Sequence, residues 1–137
     1  MNKDKIDNYM RYAIGISMSS KSNKLKVGCI ISDIDDKIIA TGKNHMPVGF
    51  EEECEDELGN TKSLVIHAED DALRTLIILN GSTLGASIFI THSPCINCAV
   101  RIRDAGIKDV YYKEAYRNTD GLEFLVRHNI NVNKVDI

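Results

Sequence analysis

Tryptophan is absent from the 137 residues, and aromatics make up only 6% of them. A stacking platform for single-stranded nucleic acid is therefore poorly supplied. An excess of positive charge is missing too: 17 Lys and Arg stand against 20 Asp and Glu, a formal net charge of −3. A non-specific polyanion binder would show a basic patch or stripe, so this balance argues against one. No apolar run approaches membrane-spanning length. Met1-Asn2-Lys3-Asp4-Lys5 leads into an amphipathic pattern and not into the apolar core of a signal peptide. These absences predict a cytoplasmic protein with neither a membrane nor a nucleic-acid partner. No internal repeat, low-complexity tract or linker interrupts the chain. Residues 1–137 are read as a single domain, long enough to bury an ordinary core.

The pattern along the chain alternates helix and strand. Ile6, Met10, Ala13, Ile14 and Ser17 recur at helical spacing, with Asn2 or Asp4 available as a cap. Beyond the loop Ser19–Lys24, the run Lys26–Ile31 predicts a buried strand. Asp33–Asp36 predicts a turn, and Lys37–Thr41 the antiparallel return. Gly42–Asn60 is a long loop, of the kind that is functional or disordered in a compact domain. Its acidic cluster, Glu51–Glu57, is read as a solvated face. Leu64-Val65-Ile66 predicts a short strand leading into a helix that Asn80-Gly81 stops. A strand at Ser87–Thr91, a helix from Pro94 to Gly106, a strand at Asp109–Tyr112, a short helix at Gly121–Arg127 and an edge strand at Ile130–Val135 follow. The alternation predicts an α/β layered domain whose mixed sheet opens with a hairpin and continues by crossovers.

Four cysteines in such a chain suggest metal or catalytic ligands before disulfides. Cys29, inside an apolar run, is read as a small buried hydrophobe. Cys54 and His45 are candidates for a second, structural metal, although no paired spacing supports it. Cys95 and Cys98 have Cys-x-x-Cys spacing, and His67 supplies an imidazole at the other helix start. Three such ligands are one short of a closed tetrahedral zinc site, and catalytic zinc keeps its fourth position for water. Glu69, two residues after His67, does not share its face within a helix interior. At a helix's first turn aimed at the metal, both side chains reach one centre. Zinc brings water's pKa towards neutrality, and Glu69 is the proton shuttle, a carboxylate not engaged by the metal. His92 is a further candidate ligand, the alternative being a strand-end imidazole bonded to the backbone.

The order His-x-Glu followed by Pro-Cys-x-x-Cys resembles the signature of zinc nucleobase deaminases. Gly42-Lys43-Asn44-His45-Met46-Pro47-Val48-Gly49 resembles the Gly-Tyr-Asn-Gly-x-Pro-x-Gly loop of deoxycytidylate (dCMP) deaminases. Lys21–Gly28 and Ser93–Tyr112 are similar to the same family, and the likeness runs from about Tyr9 to Val135. The resemblance implies a three-layer α/β/α cytidine-deaminase-like fold with a central mixed five-stranded sheet. It implies conversion of dCMP to dUMP with release of ammonia, supplying dUMP for thymidylate synthesis. In it His67, Cys95 and Cys98 hold one zinc and Glu69 moves the proton. Asn44 bonds the pyrimidine carbonyl or a sugar hydroxyl, and Ser93 offers its carbonyl to the leaving amine. The Ala68 N–H faces the base, and Tyr116 lies near the sugar-phosphate. Arg117 is a candidate phosphate contact, the alternative being a solvated arginine.

Family members are often hexamers activated by dCTP and inhibited by dTTP, which implies a homo-oligomer and magnesium with a regulatory triphosphate. Lys21, Lys43 and His45 are the candidate regulatory residues. The chain departs from the pattern where Lys43 and His45 replace tyrosine and glycine, and where Asp70-Asp71 replace a residue and asparagine. Rival readings are a deaminase of a free nucleoside or base, one acting on a polynucleotide (tRNA adenosine or single-stranded DNA cytidine), and a non-catalytic zinc-stabilised interaction domain.

Overall fold

Cys29, Ile30 and Ile31 follow one another, so successive apolar side chains leave both faces of one strand and both need cover. The computed structural model, which describes residues 1–137, provides that cover in three layers. In chain order the elements are α1 (Lys3–Ser17), β1 (Gly28–Ser32), β2 (Ile38–Lys43), α2 (Ala68–Ile78), β3 (Ser87–His92), α3 (Ile96–Asp104), β4 (Asp109–Glu114), α4 (Asp120–Arg127) and β5 (Asn131–Lys134). The five strands lie in the order β2-β1-β3-β4-β5. β1 is antiparallel to β2 and to β3. β3, β4 and β5 run parallel.

Register sorts the core between the two faces. Ile30 pairs with Phe89, and both meet Met10 and Ala13 of α1. The alternate residues Cys29, Ile31, Ile88 and Ile90 meet Ala72 and Leu76 of α2, Ile102 of α3 and Leu125 of α4. Cys29 is fully buried in this layer, as its apolar setting predicted. Tyr9 meets the Phe89 ring edge-on and Tyr111 stacks on it, which fills the α1 side. Asn2 caps α1, its side-chain oxygen accepting the Lys5 N–H at 2.9 Å. The hairpin opening, the crossovers and the edge position of β5 match the sequence reading. No helix is long and apolar enough to cross a membrane.

Several element ends shift by one or two residues from the sequence reading, and three differences have a hydrogen-bonding reason. β1 begins at Gly28 and not at Lys26, because Val27 bonds Asn44 through both its N–H and its carbonyl. β2 accordingly runs on to Lys43, the partner of Gly28. Leu64-Val65-Ile66 is not a strand: only Ile66 makes a bridge, to His45. It therefore joins the ends of the long loop and adds nothing to the sheet.

Two glycines fix how closely the elements behind the site approach. A Cβ at Gly42 would collide with the Ala68 carbonyl and the Ala72 N–H, so the first turn of α2 lies directly on β2. A Cβ at Gly121 would collide with the Pro94 carbonyl and the Cys95 backbone, so α4 begins against the loop that starts α3. Gly121→Ala is expected to cost about 1–3 kcal/mol, as overpacking does, and to loosen metal retention. Gly15→Ala is the control: nothing lies within 4 Å of its Cβ, and removing a mid-helix glycine stabilises by about 0.5–1 kcal/mol. Thermal unfolding with a zinc determination on both variants checks the pair.

Candidate active site

Two helix starts face each other across one end of the sheet. His67 is the N-cap of α2 and Cys95 the N-cap of α3, both with extended backbone. N-cap side chains ordinarily accept the helix's first free N–H groups; neither of these does. Both are thus available to a third party. Cys98 follows within the first turn of α3, buried. The imidazole Nδ1 of His67 lies 3.7 Å from Cys95 Sγ and 3.3 Å from Cys98 Sγ. All three ligand atoms fall within 4.8 Å of one another. Tetrahedral zinc bonded at its usual lengths separates a nitrogen and a sulfur ligand by about 3.6 Å. The donor set and its spacing therefore fit a zinc ion with one corner left over. The helix N-termini add partial positive charge, which favours thiolates.

Glu69, the second residue of α2, is only 4% exposed. Burial pushes its carboxyl up to about 7, against its own N–H and the His67 charge. A carboxyl balanced near neutrality both takes and gives a proton. Cys95 is held down at about 3 by hydrogen bonds from Cys98 and then from His67. Cys98, giving up its share of that bond, is pushed well up. Tyr116 is raised by burial and by Glu69, which keeps its hydroxyl protonated.

His67, Ala68, Glu69, Cys95, Asn44 and Tyr116 line one cavity of about 190 Å³. Ala68 is the first residue of α2, where a helix leaves its N–H without an internal partner. Asn44 reaches the cavity under tight constraint. Its Oδ1 accepts the Val27 N–H at 2.9 Å, and its Nδ2 donates to the Leu25 carbonyl at 2.7 Å. One amide N–H and one oxygen lone pair stay free. Ser93 is buried beneath Tyr116, its hydroxyl accepting the Tyr116 N–H at 2.9 Å. Arg117 is exposed and lies outside the cavity lining. Lys21, Lys43 and His45 line a separate cavity of about 370 Å³.

Some expectations need correction. His92 does not join the ligand cluster. It lies 2.9 Å from the Thr91 hydroxyl, not against a backbone carbonyl, and stacks on Tyr116. Cys54 and His45 do not form a second metal site: Cys54 donates to the Glu52 carbonyl, and His45 is engaged by Asp71 and Met46. The acidic cluster is not solvated throughout. Glu55 accepts from the Ser22 hydroxyl at 2.8 Å and from the Asn23 N–H at 2.9 Å. That grip holds the long loop over the cavity, whose wall includes Ser22, Thr61 and Val65. The sequence reading assigned none of these three to the site. The unusual loop length was the available signal, and it does not specify which residues turn inward.

The fold and the site together define a three-layer α/β domain with a dry carboxylate beside a candidate metal cradle. The family model for the cytidine and deoxycytidylate deaminase zinc-binding region matches residues 3–114. A probable deoxycytidylate deaminase of Caenorhabditis elegans is 33% identical over 122 residues, 85% of this chain and 59% of that one. ComE operon protein 2 of Bacillus subtilis is 37% identical over 106 residues, 74% and 55% of the two chains. The crystal structure of a dCMP deaminase from cyanophage S-TIM5, in complex with dCMP and dUMP, superposes with a TM-score of 0.94 at 38% identity, covering 98% of both chains. The chain belongs to the cytidine and deoxycytidylate deaminase family. It spans under two-thirds of the length of these two curated relatives.

The purified protein is expected to carry about one zinc per chain, the stoichiometry of a three-ligand cradle. Elemental analysis should find that Cys98→Ala loses it and Cys54→Ala keeps it.

Proposed function

We propose that this chain deaminates dCMP to dUMP and ammonia. The observation carrying the proposal is one cavity that holds the metal cradle, a buried carboxylate and a half-satisfied amide. The cyanophage relative, similar over 98% of both chains, was seen with dCMP and dUMP. A zinc ion held by His67, Cys95 and Cys98 supplies Lewis acidity and makes water a stronger acid. Glu69 takes a proton from the attacking water and delivers it to the pyrimidine ring nitrogen beside C4. The oxygen now bonded to C4 gives up its remaining proton, which Glu69 passes to the amine; the C4–N bond breaks as the C4 carbonyl forms, and ammonia leaves. Asn44 offers its spare donor and acceptor to the base carbonyl or the sugar, and the Ala68 N–H faces the ring. The Ser93 carbonyl receives the leaving amine, while Tyr116 closes the cavity over the sugar. Arg117 reaches the phosphate from outside the cavity.

One feature favours a second reading, deamination of the free nucleoside or base. No lysine or arginine lines the cavity. A polynucleotide is opposed by the acidic loop that Glu55 ties beside the opening. The absence of disulfides among the four cysteines suits a reducing compartment, which supports a cytoplasmic location; supplying dUMP for thymidylate synthesis is the role that the proposed reaction would have there. We assign to the second cavity a regulatory nucleoside triphosphate with magnesium, dCTP activating and dTTP inhibiting. Ile77, Ile78 and Leu79, each more than two-thirds exposed at the end of α2, are the apolar surface that self-association, to a homohexamer by resemblance, would cover.

Glu69→Gln is expected to keep zinc and fold while lowering turnover by about 10²–10⁴, the usual share of proton transfer. Retention of wild-type ammonia release would remove Glu69 from the mechanism. The same assay on dCMP, deoxycytidine, CMP and cytosine separates the two readings, since equal turnover of deoxycytidine rejects the monophosphate. dCTP should accelerate the wild type and leave Lys21→Ala unmoved; a wild type indifferent to dCTP and dTTP has no such regulation.

A further inference from the structure

One carboxylate outside the reacting centre bonds the residues on both sides of Asn44. Asp71 Oδ2 accepts the Lys43 N–H at 3.0 Å, and Asp71 Oδ1 lies 2.8 Å from His45 Nε2. The other ring nitrogen, Nδ1, lies 2.6 Å from the Met46 carbonyl. Asp71 is the fourth residue of α2, and its own N–H donates to the His67 carbonyl at 2.9 Å. Its backbone is therefore rigid relative to His67 and Glu69. On the far side, Asn44 is bound to Leu25 and Val27, and its carbonyl accepts the Ser20 hydroxyl at 2.8 Å.

We infer that Asp71, assisted by His45, is a positioning residue whose carboxylate straddles Asn44 and fixes it against the helix bearing His67 and Glu69. The bonds of Asn44 itself reach only the start of β1, while the backbone on either side meets α2 through Gly42 and the residues leading into α2 through the His45–Ile66 bridge. The Asp71 bridge adds a hydrogen-bonded side-chain tie from α2 to the residues flanking Asn44, so the amide and the proton shuttle keep one spacing. Without it the Lys43 N–H is half-buried and unpaired, and the His45 ring loses its anchor. Asparagine can make the same bridge without charge. Its oxygen accepts from Lys43, and its NH₂ donates to Nε2 of the His45 tautomer that keeps its proton on Nδ1.

The inference rests on the dCMP reading only in taking Asn44 as a substrate contact. Its test uses the zinc-loaded full chain. KM and kcat for dCMP are measured beside two readouts that need no substrate: the Asn44 side-chain amide resonance and the exchange rate of the Lys43 N–H. Asp71→Ala is expected to raise KM by about tenfold, the loss of one bond to a charged group. kcat should change less, zinc content should hold, the Asn44 resonance should shift and Lys43 exchange should quicken. Asp71→Asn should stay within about twofold of wild type on every measure, since it preserves both bonds. If Asp71→Ala does not fold, His45→Ala, which removes one arm, carries the same KM and resonance test. An unchanged KM and Asn44 resonance would overturn the inference, as would Asp71→Asn failing as badly as Asp71→Ala. Should the wild type turn over no dCMP, the reaction assignment falls, while the resonance and exchange data still judge the clamp.

Discussion

Two helix N-caps left without capping bonds are the constraint on which the site depends. A helix start normally satisfies its free N–H groups with the side chain at the cap, worth about 1 kcal/mol. His67 and Cys95 forgo that gain, and their side chains turn towards each other. The sheet makes their meeting possible. β1 and β3 lie side by side at its centre, α2 enters over β2 through Gly42, and α3 follows β3 directly. Gly121 then lets α4 brace the Pro94–Cys95 backbone from behind. A cradle built on two helix starts and braced by backbone contact keeps ligand spacings that loops alone would not hold.

Rigidity on one side is matched by enclosure on the other. The segment from Asn44 to Ile66 has little regular structure, yet its ends are bridged at His45 and Ile66 and its middle at Glu55 and Thr61. Glu55 then fastens it to the Ser22 turn. With that cover in place Glu69 is dry, and dryness raises its carboxyl to about 7. The same residue on an open helix start would ionise as an ordinary carboxylate and would be a poorer proton donor. In the proposed reaction the metal cradle would act on the water and the loop cover on the proton.

The helices, the strands and the candidate metal triad were legible because each rests on local periodicity or short spacing. Met10, Ala13 and Ser17 had to share a face, and Cys95 and Cys98 had to share a helix turn. His67 and Glu69 were legible through their position at a helix start, even though the predicted strand before them proved to be a single bridge. The walls contributed by Ser22, Thr61 and Val65 were not legible. Their inward orientation is set by long-range bonds, notably Glu55 to Ser22 across 33 positions of sequence. For the same reason the acidic cluster, read by composition as a solvated face, hid Glu55, the carboxylate whose fixed partners lie across the chain. Lys21, Lys43 and His45 do share a cavity, but nothing in their spacing foretold that Asp71 joins two of their backbone and ring nitrogens to α2.

That last contact changes how the chain's departures from the family pattern are weighed. Taken singly, Lys43, His45 and Asp71 each replace a residue the pattern expects, and each counts against a conserved regulatory loop. In space they form one hydrogen-bonded unit. Lys43 contributes a backbone N–H, which any residue there would supply. The ring of His45, bonded to both Met46 and Asp71, stands where a glycine would leave the carboxylate with a single partner. The residue that depends on its neighbour is therefore His45: a histidine here needs an acceptor, or an amide able to donate, at position 71. Substitutions that depend on one another in this way mark a local rebuilding of the loop's attachment to α2; they leave His67, Cys95, Cys98 and Glu69 in place and bear on the cavity wall only through Asn44.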